Sequence, residues 1–486
     1  MVYNLLTEKW IPIIRLDGRW ERVGICTALR EAGRIRQIAA SNPMDRVALL
    51  RFLLAVLYWC RGNPPGQEEK ERVAGDGQFP AEWFDKLEER RECFNLLGEG
   101  KRFYQNEAYK QKEPQHTVNY LIHEVPSGTN KWHFRHTMDR VDGLCPACCA
   151  MGLIRLPVFA TSGGRGMSSS TGKSFGINAK PPLYVVPVGK SLAATLRLSW
   201  RTTGLELGTP EWEAPGNKLP QKGEVPLLTG LTWLPRSVWL GDPEEPESVC
   251  ASCGRKEQLI RRCVFDGKGT SKAEGRLWRD PHVVYGTTSD GKSMSLQTGD
   301  ALGRTDAAAN HWAKTMAGIV KGQGSGVERP IWVVGFSTVQ NDKYLEATEW
   351  LVSGSGSPQQ DQDCAAKLER WQKEGATLAR QICPKEKSSS RETPLELRSA
   401  VDAIRPEVEA RVFAATGDLL AGNDRVWERA ASEYRPMMGT IATSLSPGFT
   451  TRALQRRNQI ADSVPNMTAR PEAKPRKPKA KKGGDQ

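Results

Sequence analysis

The chain has 486 residues, of which 38% are hydrophobic and 26% charged, with a net charge of +13 at pH 7, a pI near 9.2 and a mean hydropathy of −0.51. Such a length allows two or three domains with well-buried cores, and the composition is that of a soluble protein. The longest apolar run, "FLLAVLYWC" at 52–60, is far short of the roughly 20 residues of a membrane helix, so no membrane partner is expected.

In chain order, the opening "MVYNLLTEKW" has no basic stretch leading into an apolar one, so nothing marks it for export and a cytoplasmic location is expected. "FLLAVLYWC" reads as a buried helix. Residues 127–145, "SGTNKWHFRHTMDRVDGLC", crowd Lys131, Trp132, His133, Phe134, Arg135 and His136 together. Cations interleaved with rings suit a nucleic acid, phosphate to the cations and bases to the rings. The other reading is that Trp132 and Phe134 only anchor the loop on the core.

Eleven cysteines, an odd number in a large chain without an export signal, argue against a disulfide framework. Two C-x-x-C knuckles stand out, Cys145-Pro-Ala-Cys148 and Cys250-Ala-Ser-Cys253. Together they can present four thiolates to one tetrahedral zinc that clips two distant loops, although Cys149 leaves the first register open by one residue. Two unrelated redox or buried pairs are the alternative. The zinc would be structural, since four thiolates leave no open position for water, and neither H-E-x-x-H nor the deaminase pattern occurs.

Residues 162–176, "SGGRGMSSSTGKSFG", end like a Walker loop at Gly172-Lys173-Ser174, but Met167 stands where the first glycine must be. Pro181 and Pro182 also block the helix that such a loop needs. This stretch therefore reads as a cationic, glycine- and serine-rich loop. Beyond it, "PLYVVPVG", "ATLRLSW" and "RPIWVVGFSTV" read as β-like runs in an irregular α+β body with long loops. Lys268, between two glycines, reads as a hairpin tip able to extend an ammonium into a groove, or as an exposed turn lysine.

From about residue 358 the texture turns helical. Ala365, Leu368, Trp371, Leu378 and Ile382 lay one apolar stripe, and Thr393-Pro394-Leu395-Glu396 forms a capping box. Further amphipathic segments run to about 463, which predicts a four-helix bundle. The organisation expected is thus an α+β domain over 1–355, a C-terminal four-helix bundle over 356–465 and a disordered Lys/Pro tail over 466–486. Residues 468–486 carry a net charge of +5, which leaves +8 on the rest. An excess of this size points to a polyanionic partner, with solubility charge as the plainer reading. With no G-x-S-x-G and no acidic two-metal cluster, the chain reads as a binding protein rather than an enzyme.

Taken in order, the "NLLTEKWIPI" opening, the two knuckles, the glycine loop between them and the final helices resemble the large subunit of the type I-E CRISPR surveillance complex Cascade, the CasA family. The resemblance covers about residues 3–463. It implies partnership with CRISPR guide RNA, target double-stranded DNA, the backbone, small and guide-handle-binding Cascade subunits, and a helicase-nuclease recruited on target binding. It further implies that Gly163, Gly164 and Gly166 let backbone approach the minor groove beside the target, at the PAM, and that Lys268 is the family's lysine finger. Gln340-Asn341 resembles the wedge that starts strand separation for R-loop formation, its two amides standing in the reverse of the family's order. Phe134, Arg135 and His136 resemble the loop that touches the guide RNA handle and nearby DNA. Outside the resemblance, the sequence leaves open a free-standing zinc-containing nucleic-acid-binding protein and a metallohydrolase using the cysteines with His133 and His136.

Overall fold

A computed structural model describes residues 2–122, 143–159, 182–267, 276–287, 293–295, 329–339 and 343–354, apart from residues 65, 67, 70, 71, 74–76, 217, 218, 221, 222 and 284. The chain divides into two units, residues 1–361 and 362–486, and every described residue lies in the first. The bundle expected at 356–465 and the tail at 466–486 lie outside the described residues.

The first unit mixes helix and strand. Its helices are α1 (Ile25–Arg30), α2 (Pro43–Arg61), α3 (Asp85–Glu89), α4 (Pro146–Arg155), α5 (Leu192–Ser199) and α6 (Leu227–Thr232). The first strands are β1 (Tyr3–Asn4), β2 (Ile11–Arg15), β3 (Trp20–Val23), β4 (Ile35–Ile38), β5 (Asn95–Leu97) and β6 (His116–Thr117). There follow β7 (Tyr184–Pro187), β8 (Gly223–Glu224), β9 (Arg236–Leu240), β10 (Glu244–Val249), β11 (Lys256–Leu259) and β12 (Arg262–Gly267). Last come β13 (Arg276–Leu277), β14 (Tyr285–Thr287), β15 (Ser293–Ser295), β16 (Arg329–Val339) and β17 (Lys343–Gly354). They build small sheets of two or three strands, the larger ones ordered β3-β2-β4, β6-β12-β9 and β17-β16-β7.

The pieces are organised around α2. Asn42 caps it by accepting from the Met44 amide at 2.8 Å, Pro43 fits the first turn, and Asp45 meets the positive end of the helix dipole. Gly62 ends it in the left-handed region, φ +83°, where its amide still reaches the Tyr58 carbonyl at 2.7 Å. From Val47 to Trp59 every residue is buried, as the apolar run predicts. Phe52 and Trp59 meet Trp212 edge-on, each with ring centroids 5.8 Å apart.

The opening motif serves the same core. Leu5, Leu6 and Trp10 are buried, and the Trp10 indole donates to the Leu5 carbonyl at 2.9 Å. Of the three β-like runs, "PLYVVPVG" holds β7 and "RPIWVVGFSTV" coincides with β16. "ATLRLSW" does not form a strand. It belongs to α5, because Ser191 caps a turn by accepting from the Ala194 amide at 3.3 Å, and Leu192, Ala193 and Leu196 bury one helical face. Alternation over five residues was a weaker signal than the cap. Among the described residues no helix is long and apolar enough to cross a membrane.

Candidate functional site

The two knuckles sit on different kinds of support. Cys145 is the N-cap residue of α4, Pro146 starts the first turn, and Cys148 follows on the same end of the helix. Cys250 and Cys253 lie in the turn between β10 and β11, closed where Val249 pairs with Lys256. In that turn the Cys250 amide donates to the Arg255 carbonyl at 2.8 Å, and the Gly254 amide donates to the Cys250 carbonyl at 2.9 Å. Gly254 has φ +73°, a conformation that a side chain would strain.

Backbone bonds stitch the two supports together. Leu144 and Ile260 exchange a pair of hydrogen bonds, each 2.9 Å, and the Ala251 amide donates to the Gly143 carbonyl at 3.3 Å. The Cys145 amide donates to the Cys250 sulfur at 3.3 Å. As a result the four Sγ atoms of Cys145, Cys148, Cys250 and Cys253 all lie within 4.8 Å of one another.

The Cys145 and Cys253 sulfurs are 3.7 Å apart. A disulfide needs about 2.05 Å, whereas a tetrahedral site with Zn–S bonds of about 2.3 Å has sulfur–sulfur edges of about 3.8 Å. The spacing and the donor set therefore fit one tetrahedral, thiophilic cation. The titration pattern has the same cause. Hydrogen bonds from Cys145 and Cys148 lower Cys250 to about 6 and lower Cys253 further, while hydrogen bonds to Cys145, Cys250 and Cys253 push Cys148 up. A metal binds thiolates, so its binding would release the protons that these four groups share.

Cys149, which left the register open, is buried away from the cluster with its sulfur 3.9 Å from the Leu144 carbonyl, and burial raises its pKa. The first knuckle is therefore Cys145 and Cys148.

A further residue approaches the site from β3. Arg22 places Nη1 3.8 Å from the Cys253 sulfur, and its guanidinium carbon lies 5.8 Å from the Trp20 ring centroid. The sequence carried no signal for it, because 231 positions separate Arg22 from Cys253.

The other residues singled out from the sequence lie outside the described residues: Phe134, Arg135, His136, Gly163, Gly164, Gly166, Lys268, Gln340 and Asn341. Their flanks are defined. Arg155 ends α4 ahead of residues 160–181, Gly267 ends β12 just before Lys268, and Val339 of β16 pairs with Lys343 of β17 on either side of residues 340–342.

CasA/Cse1 of Thermus thermophilus is 30% identical over 305 residues, 61% of this chain and 57% of that relative's own length. Among solved structures, Thermus thermophilus CasA superposes with a TM-score of 0.66 at 20% identity, covering 96% of this chain and 99% of that one. Cse1 from Acidimicrobium ferrooxidans gives 0.63 at 18% identity, covering 96% and 98%. A chain of a CRISPR RNA-guided surveillance complex gives 0.64 at 15% identity, covering 95% and 99%. At these identities the superpositions show a shared fold. The sequence pattern of the family described as CRISPR-associated protein Cse1 matches residues 4–462, nearly the whole length, and the chain belongs to that family.

Proposed function

We propose that this chain is the non-catalytic large subunit of a type I-E CRISPR RNA-guided surveillance complex acting in the cytoplasm. Its task is to recognise the PAM in duplex DNA from the minor-groove side, to start strand separation for the R-loop and to help recruit the helicase-nuclease. The observation that carries this reading is the family match over residues 4–462, supported by the fold shared with a chain of such a complex.

In this reading the guide RNA reads the target by base pairing, and the protein reads only the short flanking duplex. Gly163, Gly164 and Gly166 bring backbone close to the groove, and Lys268 reaches acceptors that separate A·T from G·C only coarsely. Gln340 and Asn341 pry the first step apart, at a cost of a few kcal/mol that guide pairing recovers. Phe134, Arg135 and His136 touch the guide handle. A long hairpin suits the prying step: β16 and β17 run paired from Arg329↔Gly354 to Val339↔Lys343, with one shift of register between Ser337 and Thr338. The four cysteines would hold a structural zinc, which supplies a rigid cross-link between α4 and the β10–β11 turn and no reactive site.

The test uses the complex reconstituted with its guide RNA and partner subunits. Lys268→Ala and Asn341→Ala are expected to abolish binding to target duplex without disturbing assembly. Normal duplex binding by both variants would sink this reading.

A further inference from the structure

Three of the ion pairs made by α2 end on three parts of the chain distant in sequence. Asp45 of α2 pairs with Arg155, the last residue of α4. Arg46 pairs with Glu349 of β17 and lies over Trp332 of β16 at 5.3 Å, while the Trp332 indole also donates to Glu349 at 3.0 Å. Arg51 pairs with Asp280, in the segment after β13. At about 100° per residue, Arg46 and Arg51 point about 100° and 240° around the helix from Asp45, so the pairs leave α2 on three sides.

Each gripped element leads into one of the segments assigned above to the DNA. Arg155 precedes residues 160–181 with the glycines, the β16–β17 hairpin brackets Gln340 and Asn341, and Asp280 lies on the return side of residues 268–275 with Lys268. Resting on the PAM reading, we propose that Asp45, Arg46 and Arg51 are positioning residues: α2 is a common post that fixes the roots of the three DNA-reading segments relative to one another.

The character of the pairs supports this role. The Arg51 and Asp280 side chains are only 4% and 0% exposed, and Arg51 also donates to the Leu231 carbonyl at 2.7 Å. Buried ion pairs contribute little net stability compared with apolar packing, and in some proteins their directionality instead fixes register. The post itself is capped at both ends and buried from Val47 to Trp59. Reading a short duplex and prying it open needs three separate tips held in one geometry, and small displacements at such tips cost much of the effect.

The Arg46–Glu349 pair is the practical test, because its side chains are 22% and 41% exposed and their loss leaves the core packed. R46Q, E349Q and the double variant are assembled into the complete complex with guide RNA. Binding is measured to target duplexes carrying randomised flanking bases, and to the same targets melted beforehand over the guide-complementary stretch. The expected result is about tenfold weaker duplex binding for each single variant, no further loss in the double variant, and pre-melted binding within about twofold of wild type. Duplex binding within about twofold of wild type, in an assay where K268A has lost it, overturns the proposal and leaves the PAM reading standing. Equal losses on duplex and pre-melted targets overturn it too, since they mark a general defect. Normal duplex binding by K268A and N341A would instead remove the reading on which it rests.

Discussion

Cys253 has the Arg22 guanidinium on one side and three other sulfurs on the other. A zinc held by four thiolates carries a net charge of −2, and a nearby guanidinium offsets part of it through an N–H···S bond. Arg22→Gln is therefore expected to speed zinc loss to a chelator severalfold, measured colorimetrically, with Arg22→Lys intermediate. In the proposed zinc site Cys250→Ser removes one of the four ligands: metal analysis should find zinc lost, and denaturation should show a drop of several kcal/mol. His282 presents a different case. It is 2% exposed, its Nε2 has no hydrogen-bond partner among the described residues, and burial lowers its pKa to about 4. A histidine lowered on folding takes up its proton more readily when unfolded, so its contribution to stability is complete above pH 6.5 and falls as the pH drops toward 4. Between pH 7 and pH 5 the expected loss is about 2 kcal/mol. Urea denaturation at the two pH values should show a smaller difference for His282→Phe than for wild type.

At the scale of elements, α2 was legible from its continuous apolar run at 52–60, a local signal, while its start at Asn42-Pro43 and its stop at Gly62 came with the structure. β16 was legible for the same reason, a local run rich in β-branched and aromatic residues. α5 was misread because alternation and helical periodicity coincide over a few residues, and only the Ser191 cap separates them. Close packing between elements leaves no such trace. A Cβ on Gly230 of α6 would come within 2.0 Å of the Trp278 ring, so Gly230→Ala is expected to cost about 1–3 kcal/mol by overpacking, read from a denaturation midpoint. Nothing in "LLTGLT" announces that the glycine is a seat for an indole 48 positions away in sequence.

For the whole molecule, the charge excess bears on binding more than on folding. Removing residues 466–486 is expected to flatten the salt dependence of non-specific DNA binding, lowering the log–log slope by up to about 5, as gel shifts at several salt concentrations would show. The sequence by itself pointed to the family, the two C-x-x-C knuckles, the buried helix and the strand β16, because each motif is written in residues that are neighbours in the chain. The tertiary structure alone decided that Cys148 rather than Cys149 joins the cluster, that Arg22 faces it and that α2 grips three elements. Those outcomes depend on pairs such as Arg51 and Asp280, 229 positions apart, and side chains at that separation meet only where the packing of everything between them puts them.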